Sequence, residues 1–242
     1  MLKVQHLSKF FGKNQVLTDI DLIVQKGDFM TIMGPSGCGK STLLYQISGL
    51  DRDEYEYGEV FINENSLKHL SDSQLSKLRL ENMGFVFQKS QFLSDLSIVD
   101  NIVLPALQLK KQKKKRIYQR SYELLEMMKI SDLAYSTIQQ VSGGQLQRAN
   151  ICRALINEPS LIFADEPTGA LNSQMSQEVM EIFRKLNEEG KTIVLITHDS
   201  HIAAYAKHIL FMKDGRIISE ITKSTDTDFR NKIEKETKRL GI

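Results

Sequence analysis

The chain of 242 residues is 41% hydrophobic and 26% charged, the balance of an ordinary globular protein, which excludes a disordered or fibrous chain and leaves room for one large core or two joined subdomains. Thirty-two Lys and Arg against thirty Asp and Glu leave a formal net charge of +2, so overall charge points to neither nucleic acid nor a membrane surface as partner. The two cysteines, Cys38 and Cys152, lie far apart without metal-type spacing; they exclude a disulfide framework and fit a reducing cytosol.

No apolar run approaches the roughly 18 residues that a membrane span needs. The N-terminal MLKVQHLSKFFGK lacks the apolar core of a signal peptide. The expectation is a protein that stays on the side where it is made, with any hydrophobic path across a membrane belonging to another polypeptide.

In chain order, the first thirty residues and Glu59 to Asn63 contain alternating pieces such as Val16 to Val24, which predict a small antiparallel sheet. Phe29 to Met33 is a short apolar run ending at Gly34, and Lys40 to Ser48 carries Leu43, Leu44 and Ile47 at helical spacing, so the reading is strand, glycine loop, helix. That loop, Gly34-Pro35-Ser36-Gly37-Cys38-Gly39-Lys40-Ser41, fits G-x-x-x-x-G-K-[ST], with Thr42 next in the helix. Glycines let successive amides point inward at phosphate oxygens, and the helix N-terminus adds its positive dipole end. Lys40 is expected to reach the β- and γ-phosphates of a nucleotide and Ser41 to coordinate Mg²⁺. Cys38 occupies a position that the pattern leaves free.

From residue 89 to 156 the character changes to helical periodicity with a Lys/Arg run and no comparable strand signal, which predicts a helical insert within one α/β domain spanning 1–242. Lys110 to Arg116 (KKQKKKR) reads as a solvated surface loop, or as a contact for acidic lipid headgroups if the insert faces a membrane. Val141-Ser142-Gly143-Gly144-Gln145 opens a helix through Arg148, Ile151 and Leu155, a second small-residue helix N-terminus able to approach an anion.

Leu161 to Ala164 and Thr192 to Ile196 have the length and apolar character of strands buried on both faces of a parallel sheet. Asn172 or Ser173 can cap a helix between them, striped by Met175, Val179, Ile182, Phe183 and Leu186 and ended near Gly190, so the connection is a right-handed crossover. The first strand ends in Asp165 and Glu166, whose side chains alternation sends in different directions. With the phosphate loop upstream, Asp165 reads as the group that holds Mg²⁺ and Glu166 as the group that orients or deprotonates an attacking water. The tail after Lys223 is polar and can end in a short amphipathic helix.

The conjunction of the phosphate loop, VSGGQ and the Asp-Glu strand resembles the ATP-binding cassette (ABC) family, whose LSGGQ signature appears here as Val141–Gln145. The resemblance implies a P-loop NTPase core with a parallel sheet, a small antiparallel β subdomain and a helical insert, using ATP and Mg²⁺. It implies that Phe11 stacks on adenine, that Gln88 in Phe85-Val-Phe-Gln reaches Mg²⁺ and the attacking water, and that His198 contacts the γ-phosphate. It further implies that Ser142, Gly143, Gly144 and Gln145 close the site of a second copy in an ATP-sandwich dimer. Asn172 departs from the family, which usually has Asp there for communication across the dimer.

The variant Gly169-Ala-Leu-Asn172 resembles ATPases of antimicrobial-peptide permeases of the bacitracin-resistance or bacteriocin type. Ser71 to Phe87 and Phe211-Met-Lys-Asp-Gly-Arg resemble the wider group with macrolide-export, lipoprotein-release and cell-division ATPases. The implied function is ATP hydrolysis that powers an integral membrane permease at the cytoplasmic face of the cell membrane, exporting or detaching an amphipathic substrate. The alternative is mechanical work on a membrane partner without transport. An ABC ATPase acting on DNA or ribosomes is disfavoured, because such proteins usually carry two cassettes or long coiled coils. The permease is expected to dock from Gln88 onward, against Phe92, Leu93 and Leu96.

Overall fold

The computed structural model describes residues 1–51, 57–223 and 228–241. Two sheets organise it. The smaller is antiparallel, with β1 (Leu2–Phe11), β2 (Asn14–Val24), β4 (Tyr57–Ile62) and the short β5 (Asn65–Ser66) in the order β2-β1-β4-β5. Alternation in these strands is that of a sheet with one covered face, Leu2, Val4, Leu7, Leu17, Ile20 and Leu22 being buried.

The larger sheet runs β10-β9-β3-β8-β7-β6. Its strands β3 (Phe29–Met33), β6 (Met83–Phe87), β7 (Leu161–Asp165), β8 (Thr192–Ile196) and β9 (His208–Lys213) are parallel, and β10 (Arg216–Thr222) closes one edge antiparallel to β9. Every residue of β3 and β8 is buried, as expected of strands covered on both faces. On one face lie α1 (Lys40–Ile47) and the small sheet, whose core joins Leu43, Leu44 and Ile47 to Ile32, Phe163, Val194 and Leu210. On the other lies α6 (Ser173–Glu188), whose Val179, Met180, Phe183 and Leu186 are buried beside Ile162, Ile193 and Phe211.

Between β6 and β7 the chain is helical: α3 (Ile98–Leu109), α4 (Lys114–Met127) and α5 (Gly143–Leu155), with no strand from residue 89 to 156. Ser97 caps α3 by accepting from the Asp100 amide, and Ser142 opens α5 with a reciprocal capping box to Gln145. α2 (Asp72–Asn82) precedes β6, the short α7 (Ser200–Ala203) follows β8, and α8 (Phe229–Leu240) is the amphipathic helix expected in the tail, with Phe229, Ile233 and Leu240 buried. Among the described residues no helix is long and apolar enough to cross a membrane.

Candidate active site

Register decides where the chemistry gathers. Ile32 of β3 lies opposite Ile196 of β8, Ile196 opposite Asp165 of β7, and Asp165 opposite Phe87 of β6. The four strands therefore end level, and the segments that leave them, Gly34–Ser41, Thr197–His198, Glu166 and Gln88, emerge from one edge of the sheet. This is the carboxyl edge, where open α/β sheets present ligands.

The phosphate loop is fixed by what surrounds it. A Cβ on Gly34 would fall 2.3 Å from the Met212 carbonyl oxygen of β9 and 2.7 Å from Cys38 Sγ, so only glycine fits. Gly39 has φ 102°, and a Cβ there would meet the Val16 carbonyl at 3.0 Å. Cys38 packs beneath the loop and is buried, which pushes its thiol above the usual range and makes it a poor nucleophile at neutral pH. Among the described residues no protein group accepts a hydrogen bond from the amides of Ser36, Gly37 or Gly39. Lys40 is buried, and its Nζ donates to the Gly34 and Pro35 carbonyls at 2.8 Å each, with no carboxylate paired to it. A buried, unneutralised ammonium inside a loop of unpaired amides suits a polyphosphate. Gly34→Ala should lower thermal stability by about 1–3 kcal/mol, because β9 must move to admit the methyl group, and should weaken nucleotide binding. Melting curves with and without ATP check this, and an unchanged melting temperature would refute the packing argument.

Ser41 and Asp165 come together, the hydroxyl donating to Oδ1 at 3.2 Å. Burial raises the Asp165 carboxyl above its ordinary range, and the nearby Glu166 charge acts in the same direction, while the Ser41 hydrogen bond and the Lys40 charge oppose it. A part-buried carboxylate beside a hydroxyl offers the hard oxygen donors that a divalent cation such as Mg²⁺ takes.

Glu166 stands just beyond β7 at φ 47°, a left-handed conformation rare for a residue with a Cβ. The turn separates its side chain from that of Asp165, and its amide still donates to the Ile196 carbonyl at 3.0 Å. The carboxylate lies 2.8 Å from His198 Nδ1. The side chains of Glu166 and His198 are 16% and 63% exposed, so a largely enclosed carboxylate is held by a solvent-facing imidazole. Gln88 folds over the loop that follows Glu166: a Cβ on Gly169 would come within 2.6 Å of its Nε2.

Phe11 is 49% exposed, with Lys9 Nζ 5.2 Å from its ring centroid. It pairs with Asn14 across the β1–β2 hairpin, two residues before the Val16 that abuts Gly39, so the hairpin tip lies beside the phosphate loop. Ser36 and Ser41 are exposed, with Pro35 and Thr42 half-buried.

Ser142 to Gln145 are not brought to this edge. The capping box occupies the Ser142 and Gln145 side chains with each other, and Gly144 packs against Met175, its Cβ position 2.8 Å from the sulfur. Lys129, Ile130, Met175 and Glu178 surround this helix start, and no hydrogen bond among the described residues joins it to Gly34–Ser41. Asn172 caps α6 by accepting from the Met175 amide at 2.9 Å, a role that Asp would fill equally well.

Three supporting features escaped the sequence reading. Fully buried Asn101 accepts from the Leu93 amide and donates to the carbonyls of Leu93, Leu96 and Ser97, fixing the segment after Gln88. Asn150 of α5 donates to the Phe87 carbonyl at 3.1 Å, tying the VSGGQ helix to the residue before Gln88. The Asp214–Gly215 turn between β9 and β10 bonds both β2 and the phosphate loop, through Thr18 N to Gly215 O and Gly215 N to Cys38 O. Asp-Gly is a hairpin signal that could have revealed this turn, whereas a buried asparagine leaves no periodic trace.

Of the expected docking residues, Phe92 needs correction. Phe92 is buried beneath the Arg153 guanidinium, 4.5 Å from its ring centroid, because the insert's own core claims it, while Leu93 is 55% exposed and Leu96 half-buried. A groove at the junction of the sheet and the insert is lined by none of the three. That groove, of about 430 Å³, lies between α2, β6, α3 and α5, with Leu50, Leu80, Phe85, Phe87 and Leu104 as apolar walls. Arg79 and Arg153 line it, and among the described residues no carboxylate does. Burial lowers the Arg153 guanidinium to about 10, still charged at neutral pH.

The ABC transporter family profile matches residues 17–169. The chain is 43% identical over 227 residues to the macrolide export ATP-binding/permease protein MacB of Aggregatibacter actinomycetemcomitans, covering 92% of this chain and 35% of that protein. It is 40% identical over 223 residues to the lipoprotein-releasing system ATP-binding protein LolD of Aquifex aeolicus, covering 92% of this chain and 98% of that one. The chain thus spans about a third of the macrolide-export relative and nearly all of the lipoprotein-release one. The dimeric structure of the ABC transporter cassette MJ0796, from Methanocaldococcus jannaschii, superposes with a TM-score of 0.87 at 37% identity, covering 93% of this chain and all of that one. A second MJ0796 structure, described as a post-hydrolysis state bound to ADP and Pi, gives 0.86. With the family match extending over most of its length and the same fold in both structures, this chain belongs to the ABC transporter family and carries its ATPase domain.

Proposed function

We propose that the chain hydrolyses ATP as one half of a two-fold pair with a second copy, and passes the work to an integral membrane permease at the cytoplasmic face of the cell membrane. The observation that carries this reading is the division of the molecule: Gly34–Ser41, Asp165, Glu166, His198 and Gln88 share one sheet edge, while Ser142–Gln145 stand apart from it. A head-to-tail pair lets each chain supply the helix start that the other lacks.

In this reading Lys40 and the amides of Ser36–Ser41 and Thr42 bind the phosphates, with Pro35 shaping the loop, and Phe11 stacks on the base. Glu166 takes a proton from water as the water oxygen bonds to the γ-phosphorus and the bond to the β-bridging oxygen breaks, giving ADP and phosphate. His198, bonded to Glu166, holds the carboxylate in orientation, and Gln88 positions the water. Ser41 and Asp165, with Gln88 alongside, would hold a Mg²⁺ ion, which neutralises phosphate charge when bound. The Gly169-to-Asn172 sequence supports an antimicrobial peptide or similar amphipathic molecule as the permease substrate.

The groove supports the permease assignment, because its half-exposed apolar walls lie at the junction of the sheet and the insert, adjoining Phe87 and thus Gln88. A short amphipathic segment inserted there would press directly on the residues that lead into the site. Leu50→Glu with Leu104→Glu should release the chain from membranes that carry its permease while the isolated chain keeps its ATPase rate. Sedimentation of the double variant with the permease at wild-type stoichiometry would overturn the docking site.

A further inference from the structure

The chain's strongest charge cluster is left unused by this mechanism. Six of the seven residues from Lys110 to Arg116 are basic, although the whole chain carries only +2, so the remaining residues sum to −4. All seven are exposed. Among the described residues only Lys111 has an acidic partner, Glu81 at 2.8 Å; Lys110, Lys113, Lys114, Lys115 and Arg116 have none.

Local structure makes the placement costly. Lys114, Lys115 and Arg116 form the first turn of α4, with Lys113 as its N-cap, no side-chain cap and no acid to offset them. Cations at the positive end of a helix are unfavourable, and like charges so close repel one another. An ordinary solvated loop would relieve this with acids or a Ser or Asp cap, as α3 does with Ser97 and Asp100. A negatively charged surface would relieve it instead.

Position selects which surface. The run begins at the C-cap of α3, whose Leu104, Pro105 and Gln108 line the permease groove. Lys111 lines a neighbouring recess with Glu81 and Asn157, and Asn157 borders the groove as well. The Lys111–Glu81 pair anchors the loop to the end of α2, another wall of the groove. No aromatic side chain lies within the run to stack on bases, so single-stranded nucleic acid is a poor fit.

We propose that Lys110–Arg116 is a lipid-contacting lip, which lies against anionic headgroups of the bilayer when the groove holds its permease. The proposal rests on the reading that the groove faces a membrane protein. The lip adds electrostatic attraction to that docking and sets the orientation of the insert relative to the bilayer, while the acidic remainder of the molecule is repelled.

The test uses the full chain without permease, sedimented with vesicles of phosphatidylcholine alone or with roughly a third phosphatidylglycerol. Binding should require the anionic lipid and weaken as salt rises. At about fivefold per charge, Lys113→Gln, Lys114→Gln and Lys115→Gln together should reduce partitioning about a hundredfold. An equal neutralisation of exposed lysines on α8 (Lys232, Lys235 and Lys238→Gln) should leave most of the binding, and Leu50→Gln with Leu104→Gln, which adds no charge beside the lip, should leave it intact. Equal binding to both vesicle types would overturn the proposal. So would wild-type binding by the lip variant, or an equal loss in the α8 variant. A lip variant that binds vesicles normally but loses its permease would also overturn it, and would assign the run to an acidic segment of that protein. Failure of the lip leaves the groove result standing, whereas retention of permease by the groove variant sinks the docking reading without touching the vesicle measurement.

Discussion

Glu166→Gln is expected to keep ATP affinity and to lose about a thousandfold in hydrolysis, within the range that general-base removal produces. The amide is nearly the same size as the carboxylate and can still meet His198 Nδ1, now 2.8 Å from the Glu166 carboxylate, so the left-handed turn at φ 47° need not change. The residue loses the ability to accept the water's proton. It also loses a negative charge that helps raise the neighbouring Asp165 carboxyl, so binding of polyphosphate should be undiminished or stronger. ATP-bound dimers should therefore accumulate, visible by gel filtration, while phosphate release at saturating ATP nearly stops. Lys40→Ala should behave oppositely and weaken binding itself, since it removes the buried ammonium at the loop. Turnover of Glu166→Gln at the wild-type rate would remove Glu166 from the role of general base.

Ser142→Arg should abolish hydrolysis while one chain's own affinity for ATP stays near wild type, because no hydrogen bond among the described residues joins the phosphate loop to this helix start. The substitution removes the capping hydroxyl and so costs about 1 kcal/mol of helix stability, too little to unfold a domain of ordinary stability. Mixed with Lys40→Ala, the variant should recover activity. In a heterodimer one site takes Lys40 from the Ser142→Arg chain and Ser142 from the Lys40→Ala chain, and is wild type on both sides. Equal mixing makes half of the pairs heterodimers with one competent site of two, so recovery should approach about a quarter of wild-type turnover if the sites act independently. No recovery in any mixture, with heterodimers demonstrated by cross-linking, would refute sharing between chains.

The groove shows why neighbourhood in sequence is an unsafe guide to surface. Phe92, Leu93 and Leu96 follow Gln88 and are apolar, yet Phe92 is drawn into the insert and covered by Arg153, while the groove's walls come from residues 50 to 157 on four elements and the loops beside them. Apolar character alone cannot say whether a side chain faces a partner or the core.

The sequence by itself determined the parts whose signal is local. The glycine loop was legible because only glycine tolerates the φ of 102° at Gly39 and the contact at Gly34, and the pattern of such positions is read directly. β3, β7 and β8 were legible as short apolar runs, α6 by its stripe and its Asn172 cap, and the small antiparallel sheet by alternation. β6 and the β9–β10 hairpin were read only within stretches that resemble a family, although Met83–Phe87 and Ile209–Met212 are apolar runs as short as β3 and Asp214-Gly215 marks the hairpin turn. Tertiary structure alone decided which strand lies beside which. It levelled Ile32, Ile196, Asp165 and Phe87, and so set the phosphate loop, Glu166, His198 and Gln88 on one edge while holding Ser142–Gln145 away from it. The buried amides of Asn101 and Asn150, which fix the ends of the Gln88 segment, were equally hidden. Register and buried hydrogen bonds are relations between residues distant in the chain, and a local pattern of side-chain types does not encode the pairing from which they arise.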